Sequence, residues 1–456
     1  MTSHGSPFKV TFFGARIREF IMVSSSLKSK KSLKTDELNF SKSWLIWGCA
    51  ALFYCYQFML RGSPNVMADD LMLAFQVDAC SLGILSGCYY NTYSALQVPG
   101  GTLMDFFKPR RVLTFAAIVC SLGTLLFSMA DSIYIAAFGR ALIGVGSAMG
   151  FLSCLKLGTL WFPSHKLPLI IGLTVALGTV GGVSAGYPLA WLVEAYGWRQ
   201  AMWFVAFVGF ALAALGWSIV RDTPPDALEK EILKSHGDKE AHLPQSGLLT
   251  SILEVIRKPQ SWLIAAYGGL MYVPLSGFTD LWGTPYLMTA YNLDKPTAAT
   301  INSAMLVGLG LGSPLFPFLC NFLKAYKSTV FISTFGSLLL LSAIFYIPGM
   351  PLWLLVGCLF LTGVFLGGQF LAFSMTCSLN PLSASATAGG FHNMMCMLSG
   401  VIFMPFIGWL LDYAWQGGFS NGVRAYSIAE YTFAFSSIIL SLVISCLVII
   451  PIKEKY

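Results

Sequence analysis

Apolar residues follow one another along this chain in runs of about 20, separated by short stretches that hold charges, prolines and glycines. An α-helix needs a run of that length to cross the hydrocarbon core of a bilayer. The pattern therefore predicts twelve membrane spans, numbered here in chain order. Their approximate boundaries are 43–62, 80–104, 112–130, 133–162, 166–193, 201–219, 261–282, 297–323, 328–348, 352–376, 386–411 and 430–451.

One long polar interval, residues 221–260, separates six spans from the other six. The chain is therefore predicted to be an all-α polytopic membrane protein with two six-helix halves. Inside the interval, the stretch from Leu248 to Ile256 is amphipathic, which favours a helix lying along the membrane surface. The predicted segments are a basic N-terminal tail (1–42), an N-terminal half (43–220), a central loop (221–260), a C-terminal half (261–451) and a short C-terminal tail (452–456).

Lysine and arginine set the orientation of these spans. Most of the 28 Lys and Arg residues fall in the N-terminal tail, the central loop and every second short loop, whereas the loops between hold Arg199, Lys295 and Arg424. Positive charge marks the cytoplasmic side, so both termini are predicted in the cytoplasm of a bacterium, with the spans in its inner membrane. The tail lacks a signal-peptide pattern, and Met22 is an alternative start.

Composition narrows the class of protein. The chain is 56% hydrophobic and 11% charged, against about 25% charged in soluble domains. It holds no Walker-type or HExxH pattern, so an enzyme is not expected. The 11 cysteines are scattered without CxxC pairs and are interpreted as small apolar residues. The predicted partners are the lipid bilayer and a small molecule, with no metal, no cofactor and no nucleic acid.

The two halves repeat each other at corresponding loops. The loop after span 2 reads GTLMDFFKPRR over residues 101–111, and the loop after span 8 reads PFLCNFLKAYK over residues 317–327, with Leu, Phe, Lys and a terminal cation in register. A second echo pairs WLVE at 191–194 with WLLD at 409–412. Duplicated halves of this kind enclose a site near the membrane midplane.

The motifs resemble those of the major facilitator superfamily, whose loop after the second helix carries a Gly-x-Leu-x-Asp pattern followed by basic residues. Arg140-x-x-x-Gly144-x-Gly146 at the start of span 4 matches a second family pattern. The resemblance covers the whole chain and implies twelve helices that transport by alternating access. Two residues depart from the loop pattern: Phe106 stands where the family usually has Arg, and Lys108 where it usually has Gly.

A narrower resemblance concerns span 1. Its sequence, FYCYQFMLRGSPNVM over residues 53–67, is similar to that of bacterial carriers related to phagosomal nutrient transporters and, more distantly, to lysosomal dipeptide carriers. That pattern usually has an acid at the position of Gln57, so the replacement removes a candidate proton site.

Charged residues inside spans are expensive and usually face a cavity or a partner. Arg61 and Lys156 are candidates for binding a substrate, with snorkelling to the outer and the cytoplasmic interface as the respective alternatives. If both face the cavity, the ligand carries a carboxylate or a phosphate. Polar side chains that could complete the pocket, each with packing as its alternative, are Gln57, Asn91, Tyr93, Gln369 and Asn393.

Coupling to protons needs a group whose charge changes during transport. Asp280 and His392 are the candidates, since a carboxylate or an imidazole can take up and release a proton. Arg140 is a third candidate by its resemblance to a family arginine, with a structural ion pair as the alternative. H⁺ symport is the default expectation, while Na⁺ coupling and facilitated diffusion remain open.

The loop after span 2 has an expected mechanical role. In the family that the chain resembles, the loop acid, here Asp105, pairs with cations and a helix N-terminus across the two halves, and so biases the rocking equilibrium. Arg110 and Arg111 are expected to share this gating role, and topogenic charge alone is the alternative. The second copy has Asn321 in place of the acid.

The sequence therefore predicts a secondary transporter that imports a small polar nutrient, which is an organic anion, an amino acid or a short peptide. A non-transporting sensor or partner-binding protein on the same fold is the main alternative. A drug exporter is a further alternative, disfavoured because it would place acids rather than cations in the N-terminal half.

Overall fold

The computed structural model describes residues 41–223, 248–347, 349–381, 384–420 and 422–452. Residues 1–40 of the predicted tail, 224–247 of the central loop and 453–456 lie outside them.

The N-terminal half consists of single helices for spans 1, 3 and 6 and of paired helices for the broken spans 2, 4 and 5. They are α1 (Ser41–Val66), α2 (Ala68–Phe75), α3 (Ala79–Ala95), α4 (Gln97–Phe106), α5 (Pro109–Ser128), α6 (Ile133–Ser147), α7 (Gly150–Trp161), α8 (Leu167–Ser184), α9 (Tyr187–Tyr196) and α10 (Trp198–Ile219).

The C-terminal half begins after a short helix, α11 (Leu248–Ile256). Its further helices are α12 (Pro259–Val273), a π-helical segment (Pro274–Trp282), α13 (Gly283–Tyr291), α14 (Lys295–Leu323), α15 (Tyr326–Tyr346), α16 (Leu352–Leu366), α17 (Gln369–Ser378), α18 (Ser385–Ala414) and α19 (Ile428–Ile449). Two short antiparallel strands, β1 (Phe419–Ser420) and β2 (Val423–Arg424), join the last two helices.

Each predicted span coincides with one helix or with two or three consecutive helical pieces. Within the described residues, ten helices are long and apolar enough to cross a membrane, and the pair α2 and α3, bent by 110°, makes an eleventh if it is counted as one span. Spans 2 and 7 are built from shorter pieces, α3 with α4 and α12 with the π-helical segment and α13. The prediction of an all-helical, multi-span protein is confirmed.

Spans 2 and 11 pack closely against each other across the two halves, because glycine lines both sides of the contact. A Cβ added to Gly83 would lie 2.4 Å from the carbonyl oxygen of Met404, and one added to Gly408 would lie 2.3 Å from that of Ala79. Small residues allow such backbone approach between membrane helices. Spans 5 and 8 form the second contact of this kind between the halves.

Candidate substrate site

A buried ion pair joins the two halves. Arg61 of span 1 and Asp280 of span 7 lie with Nε and Oδ2 3.2 Å apart, and both side chains are buried. The hydroxyl of Tyr90 on span 2 donates a hydrogen bond to the same carboxylate oxygen. Arg61 therefore does not snorkel to an interface. It faces the contact between the halves, with its charge balanced by an acid from the opposite half.

The local helix geometry of span 7 directs the Asp280 side chain toward Arg61. Proline begins the π-helical segment Pro274–Trp282, and all nine residues of that segment are buried. A π-helical turn holds more residues than an α-helical turn and recurs at functional sites. Span 1 changes in the same region, since a 3₁₀ turn with Pro64 follows Gly62. Arg61 and Asp280 therefore lie where the α-helices of spans 1 and 7 change to 3₁₀ and π-helical geometry.

Aromatic rings surround the Arg61 guanidinium. Its Cζ lies 4.1 Å from the ring centroid of Phe58 and 5.9 Å from that of Tyr272. Such contacts stabilise a cation more when it is removed from water. Tyr89 extends the aromatic cluster, because its ring stands edge-on to Tyr90 and is stacked on Tyr93 at 5.8 Å.

Arg140 of span 4 supports Arg61 through the backbone. Its Nη1 and Nη2 donate hydrogen bonds of 2.7 and 3.2 Å to the carbonyl oxygens of Leu60 and Arg61, and its side chain is fully buried. These carbonyls lie near the end of span 1, where a cation offsets the negative end of the helix dipole. The geometry gives Arg140 a positioning role.

Buried amide groups lie near the aromatic cluster and in span 10. Gln57 accepts a hydrogen bond of 2.9 Å from the Tyr89 hydroxyl, and its Nε2 has no partner among the described residues. Nε2 of Gln97 and Oε1 of Gln369 also have no partner among the described residues. Oε1 of Gln97 accepts a hydrogen bond of 2.7 Å from Asn393 of span 11. An unsatisfied buried amide atom costs about 1–3 kcal/mol, so these atoms are suited to a ligand or water.

Little space remains beside the ion pair. A void of about 10 Å³ borders Asp280, Asn65 and Asn302, which is roughly the size that one water molecule requires. Asn302 donates to the carbonyl oxygen of Thr279, while its own Oδ1 has no partner among the described residues. The ion pair is therefore closed off on this side.

Three other predicted residues lie apart from the pair. Asn91 is exposed and stands on the helix face opposite to Tyr89 and Tyr93. Lys156 is half-buried on α7, and 16 residues of span 4 separate it from Arg140, about 24 Å along a helix axis. His392 packs within the C-terminal half, where its Nδ1 lies 3.0 Å from the Thr376 hydroxyl.

The basic loop after span 2 is partly described. The side chain of Asp105 lies outside the described residues. Arg110 donates a 2.8 Å hydrogen bond to the Trp217 carbonyl oxygen and stacks on the Trp217 ring at 4.1 Å, and its backbone N–H donates to Asp222. Arg111 is exposed. The described contacts of Arg110 thus join segments of the N-terminal half.

Comparison with known proteins supplies the family. The model of the Major Facilitator Superfamily matches residues 46–288, which is more than half of the chain. The chain belongs to this superfamily. Its members are membrane transporters and not enzymes, so the prediction of a multi-pass transporter without catalytic residues agrees with the family. Among the described residues, no group of three or more His, Cys, Asp or Glu is placed to hold a metal ion.

Relatives of this superfamily member differ in their named roles. It is 25% identical to the probable sulfoacetate transporter SauU of Cupriavidus necator over 300 residues, which is 62% of this chain and 66% of that one, just under two thirds. It is 24% identical to the membrane sensor protein UhpC of Salmonella typhimurium over 89% of each chain. It is 21% identical to the probable galactarate/D-glucarate transporter GudP of Escherichia coli over 80% of this chain and 86% of that one.

The fold agrees with solved structures of the superfamily. A bacterial homolog of the human lysosomal transporter Spinster, in an inward-facing and occupied conformation, superimposes with a TM-score of 0.70 at 17% identity, covering 89% of this chain and 95% of that one. The fold class predicted from the sequence is therefore confirmed.

Sequence reasoning missed one residue of the site, Tyr272. It lies among many aromatic residues, and nothing in its spacing sets it apart. The predicted position of Asp280, near the outer end of span 7, did not reveal its partner, because Arg61 is 219 positions away and belongs to the other half. The repeat offered a weak signal, since spans 1 and 7 are corresponding helices.

Proposed function

We propose that this chain imports a small organic anion across the cytoplasmic membrane of a bacterium, with both termini in the cytoplasm, by H⁺ symport. The observation that carries the proposal is the Arg61–Asp280 ion pair between spans 1 and 7. Arg61 is the cation that receives the carboxylate, sulfonate or phosphate of the substrate. Asp280 is the counter-ion that occupies Arg61 when the substrate is absent.

The pair explains how proton and anion binding depend on each other. An ionised Asp280 neutralises Arg61, so a substrate anion must compete with it. Protonation of Asp280 removes that competitor, and one anionic group of the substrate then restores a neutral pair with Arg61. The pair itself is neutral in both states, which matters because a net charge is costly in a low-dielectric interior. One proton is therefore taken up for each anionic group that pairs with Arg61.

The named substrates of relatives support an anion. SauU and GudP are named for sulfoacetate and for galactarate and D-glucarate, and these compounds are anionic near neutral pH. The aromatic cluster and the unpartnered amide atoms of Gln57 and Gln369 supply further groups for the uncharged part of the molecule. The resemblance to phagosomal nutrient transporters stays a prediction.

The test is uptake by purified protein in liposomes, with sulfoacetate, D-glucarate and glucose 6-phosphate offered in turn against glucose and a lipophilic cation. We expect one anion to accumulate when the outside is acidified, and to lose that response in Asp280→Asn. Arg61→Gln should abolish uptake. Arg257→Gln, which removes an exposed cation just after α11, is the matched control. Uptake of the lipophilic cation, or anion uptake that Arg61→Gln leaves intact, would refute the proposal.

A sensor on the same fold is the second candidate, because UhpC aligns with 89% of this chain. A sensor would bind the anion through Arg61 without moving it. Ligand binding raises the melting temperature by mass action, so an anion that stabilises the protein and is not taken up by liposomes would favour this candidate.

A further inference from the structure

An apolar cavity of about 440 Å³ lies outside the substrate site, between spans 2, 3 and 4. Leu103 and Phe107 of span 2, Phe115 and Val119 of span 3, and Met149 of span 4 contribute to its wall. Phe115 and Phe107 are among the exposed large apolar residues of the protein. The cavity therefore opens toward the surface that contacts the bilayer.

The cavity extends from the membrane interface into one leaflet. Arg111, the first charged residue of its wall, stands at the start of α5. Val119, eight residues further along the same helix, lies about 12 Å deeper. Half of the hydrocarbon core measures about 15 Å, so the depth of the cavity suits one acyl chain of the leaflet that the charge pattern predicts to be cytoplasmic.

The polar rim carries positive charge that no described residue neutralises. Arg110 is engaged with Trp217 and Asp222, but the guanidinium of its neighbour Arg111, which borders the cavity, makes no hydrogen bond or ion pair with any described residue. The side-chain ammonium of Lys108, an exposed residue, likewise has no partner among the described residues. In this basic loop, Arg110 therefore makes an internal contact, whereas Arg111 and Lys108 lie at the mouth of the apolar cavity.

From the cavity and its rim we infer that this chain binds one anionic phospholipid at a defined site. An acyl chain fills the cavity, and the headgroup phosphate contacts Arg111 with Lys108 nearby. A cation at the membrane surface contributes about 1 kcal/mol to attraction of an anionic lipid, and the acyl chain adds burial against the wall. The transported substrate is a poor occupant, because this wall is apolar and does not include the Arg61 site.

The site also adjoins the broken helix of span 4, which carries Arg140. Met149, in the cavity wall, lies in the break between α6 and α7, which divides span 4. Arg140 and its contacts to span 1 lie on α6. A lipid in the cavity therefore supports the helix that positions Arg61, and its removal is expected to lower thermal stability even without substrate.

The experiment uses the full chain purified in mild detergent, with retained lipids counted by native mass spectrometry after exposure to phosphatidylglycerol or phosphatidylcholine. We expect one phosphatidylglycerol per chain to persist. Arg111→Gln should reduce its affinity about fivefold, which is the effect of one surface cation. Val119→Trp, which fills the deep part of the cavity, should displace both lipids. Arg257→Gln, in the central loop at the predicted cytoplasmic surface, is the matched charge control.

The melting temperature of each variant without added lipid shows whether it folds. If Val119→Trp does not fold, Val119→Phe is used in its place. Equal retention of both lipids, or retention that the Arg111 and Val119 variants leave unchanged, would overturn the inference. Stabilisation by inorganic phosphate alone to the same extent would also overturn it, because the acyl chain would then contribute nothing.

Discussion

The two ends of the helix bundle are held together in different ways. At the predicted outer end, polar contacts cross between the halves: Asn65 bonds the Thr284 hydroxyl at 2.7 Å, and Asp70 pairs with Lys295 at 2.6 Å. At the predicted inner end, the described contacts of Trp161 with the Arg221 carbonyl oxygen and of Lys258 with that of Leu379 each stay within one half. The Gln97–Asn393 bond also joins the halves in the inner part of spans 2 and 11, but most of the described polar bonds between the halves lie at the predicted outer end.

Asp412 is the most connected group of the outer end. Its carboxylate accepts hydrogen bonds from the backbone N–H of Cys80 at 2.8 Å, from Arg424 at 2.9 Å and from the Tyr426 hydroxyl at 2.6 Å. Cys80 lies in the first turn of α3, where backbone N–H groups lack helical partners. An acid at the end of span 11 thereby caps the start of span 2 in the other half.

The difference indicates a state that is closed at the predicted outer end. In alternating access, contacts between the halves at one end must break before that end opens. The Arg61–Asp280 pair belongs to the same set of contacts, so substrate competition for Arg61 would loosen the outer end. Under the proposed function, the ion pair is therefore both a binding element and part of the closure, and variants of the two ends should behave differently.

The largest effect is expected from breaking the central pair. Asp280→Asn leaves Arg61 buried without its counter-ion, which costs about 3–5 kcal/mol for pairs of this kind. Arg61→Gln likewise leaves the Asp280 carboxylate buried without its cation. The double variant removes both charges and should recover much of the stability. Melting temperatures of the four proteins in one detergent test this, and a double variant less stable than both single variants would contradict it.

The second effect concerns the close contact of spans 2 and 11. Gly83→Ala places a Cβ against the Met404 backbone, and overpacking of this kind costs about 1–3 kcal/mol. Gly48→Ala on span 1 is the matched control, because nothing lies within 4 Å of its added Cβ. If Gly83→Ala has the same melting temperature as the Gly48→Ala control, the two helices must separate readily to admit the added methyl group.

The third prediction addresses the outer closure directly. Asp412→Asn removes the charge that binds Arg424 and the start of α3, and hydrogen bonds to charged groups contribute about 1.5–3 kcal/mol. We expect a larger population that is open outside. Spin labels on Leu73 and Tyr413, both exposed, would report it as a longer distance. An unchanged distance distribution at equal protein stability would show that Asp412 only stabilises its own half.

The smallest effect is expected at the N-cap of α3. Asp78 accepts a hydrogen bond of 2.9 Å from the backbone N–H of Ser81. Burial raises the pKa of Asp78, but the hydrogen bonds from Ser81 outweigh it and leave the pKa below the ordinary value. The cap therefore stabilises the protein above the unfolded pKa of about 4 and loses this contribution as the pH falls through the lower folded value.

Asp78→Ala should cost about 0.5–1 kcal/mol at neutral pH, within the range for helix caps. The difference in melting temperature between Asp78→Ala and the parent should shrink as the pH is lowered below 4. A difference that stays constant with pH would mean that the carboxylate charge plays no part in the cap.

Much of the architecture could be read from the sequence because lipid imposes a simple rule. A span needs about 20 apolar residues whose backbone bonds are satisfied internally, so the runs alone located the helical segments, and the motifs from Gly101 to Arg111 and at Arg140 indicated the family. The same patterns singled out Arg61 and Asp280, since ionisable residues in apolar runs are rare and functional.

Only the tertiary structure decided which of these residues meet. The sequence could not pair Arg61 with Asp280, separate Lys156 and Asn91 from them, or show His392 packed against Thr376, because such contacts depend on how distant helices rotate and bend. The π-helical turn around Asp280 and the breaks within spans 2, 4 and 10 shift side-chain directions by amounts that periodicity does not record. Hydrophobic pattern fixes where a helix crosses the membrane, whereas packing against its neighbours fixes which face it presents.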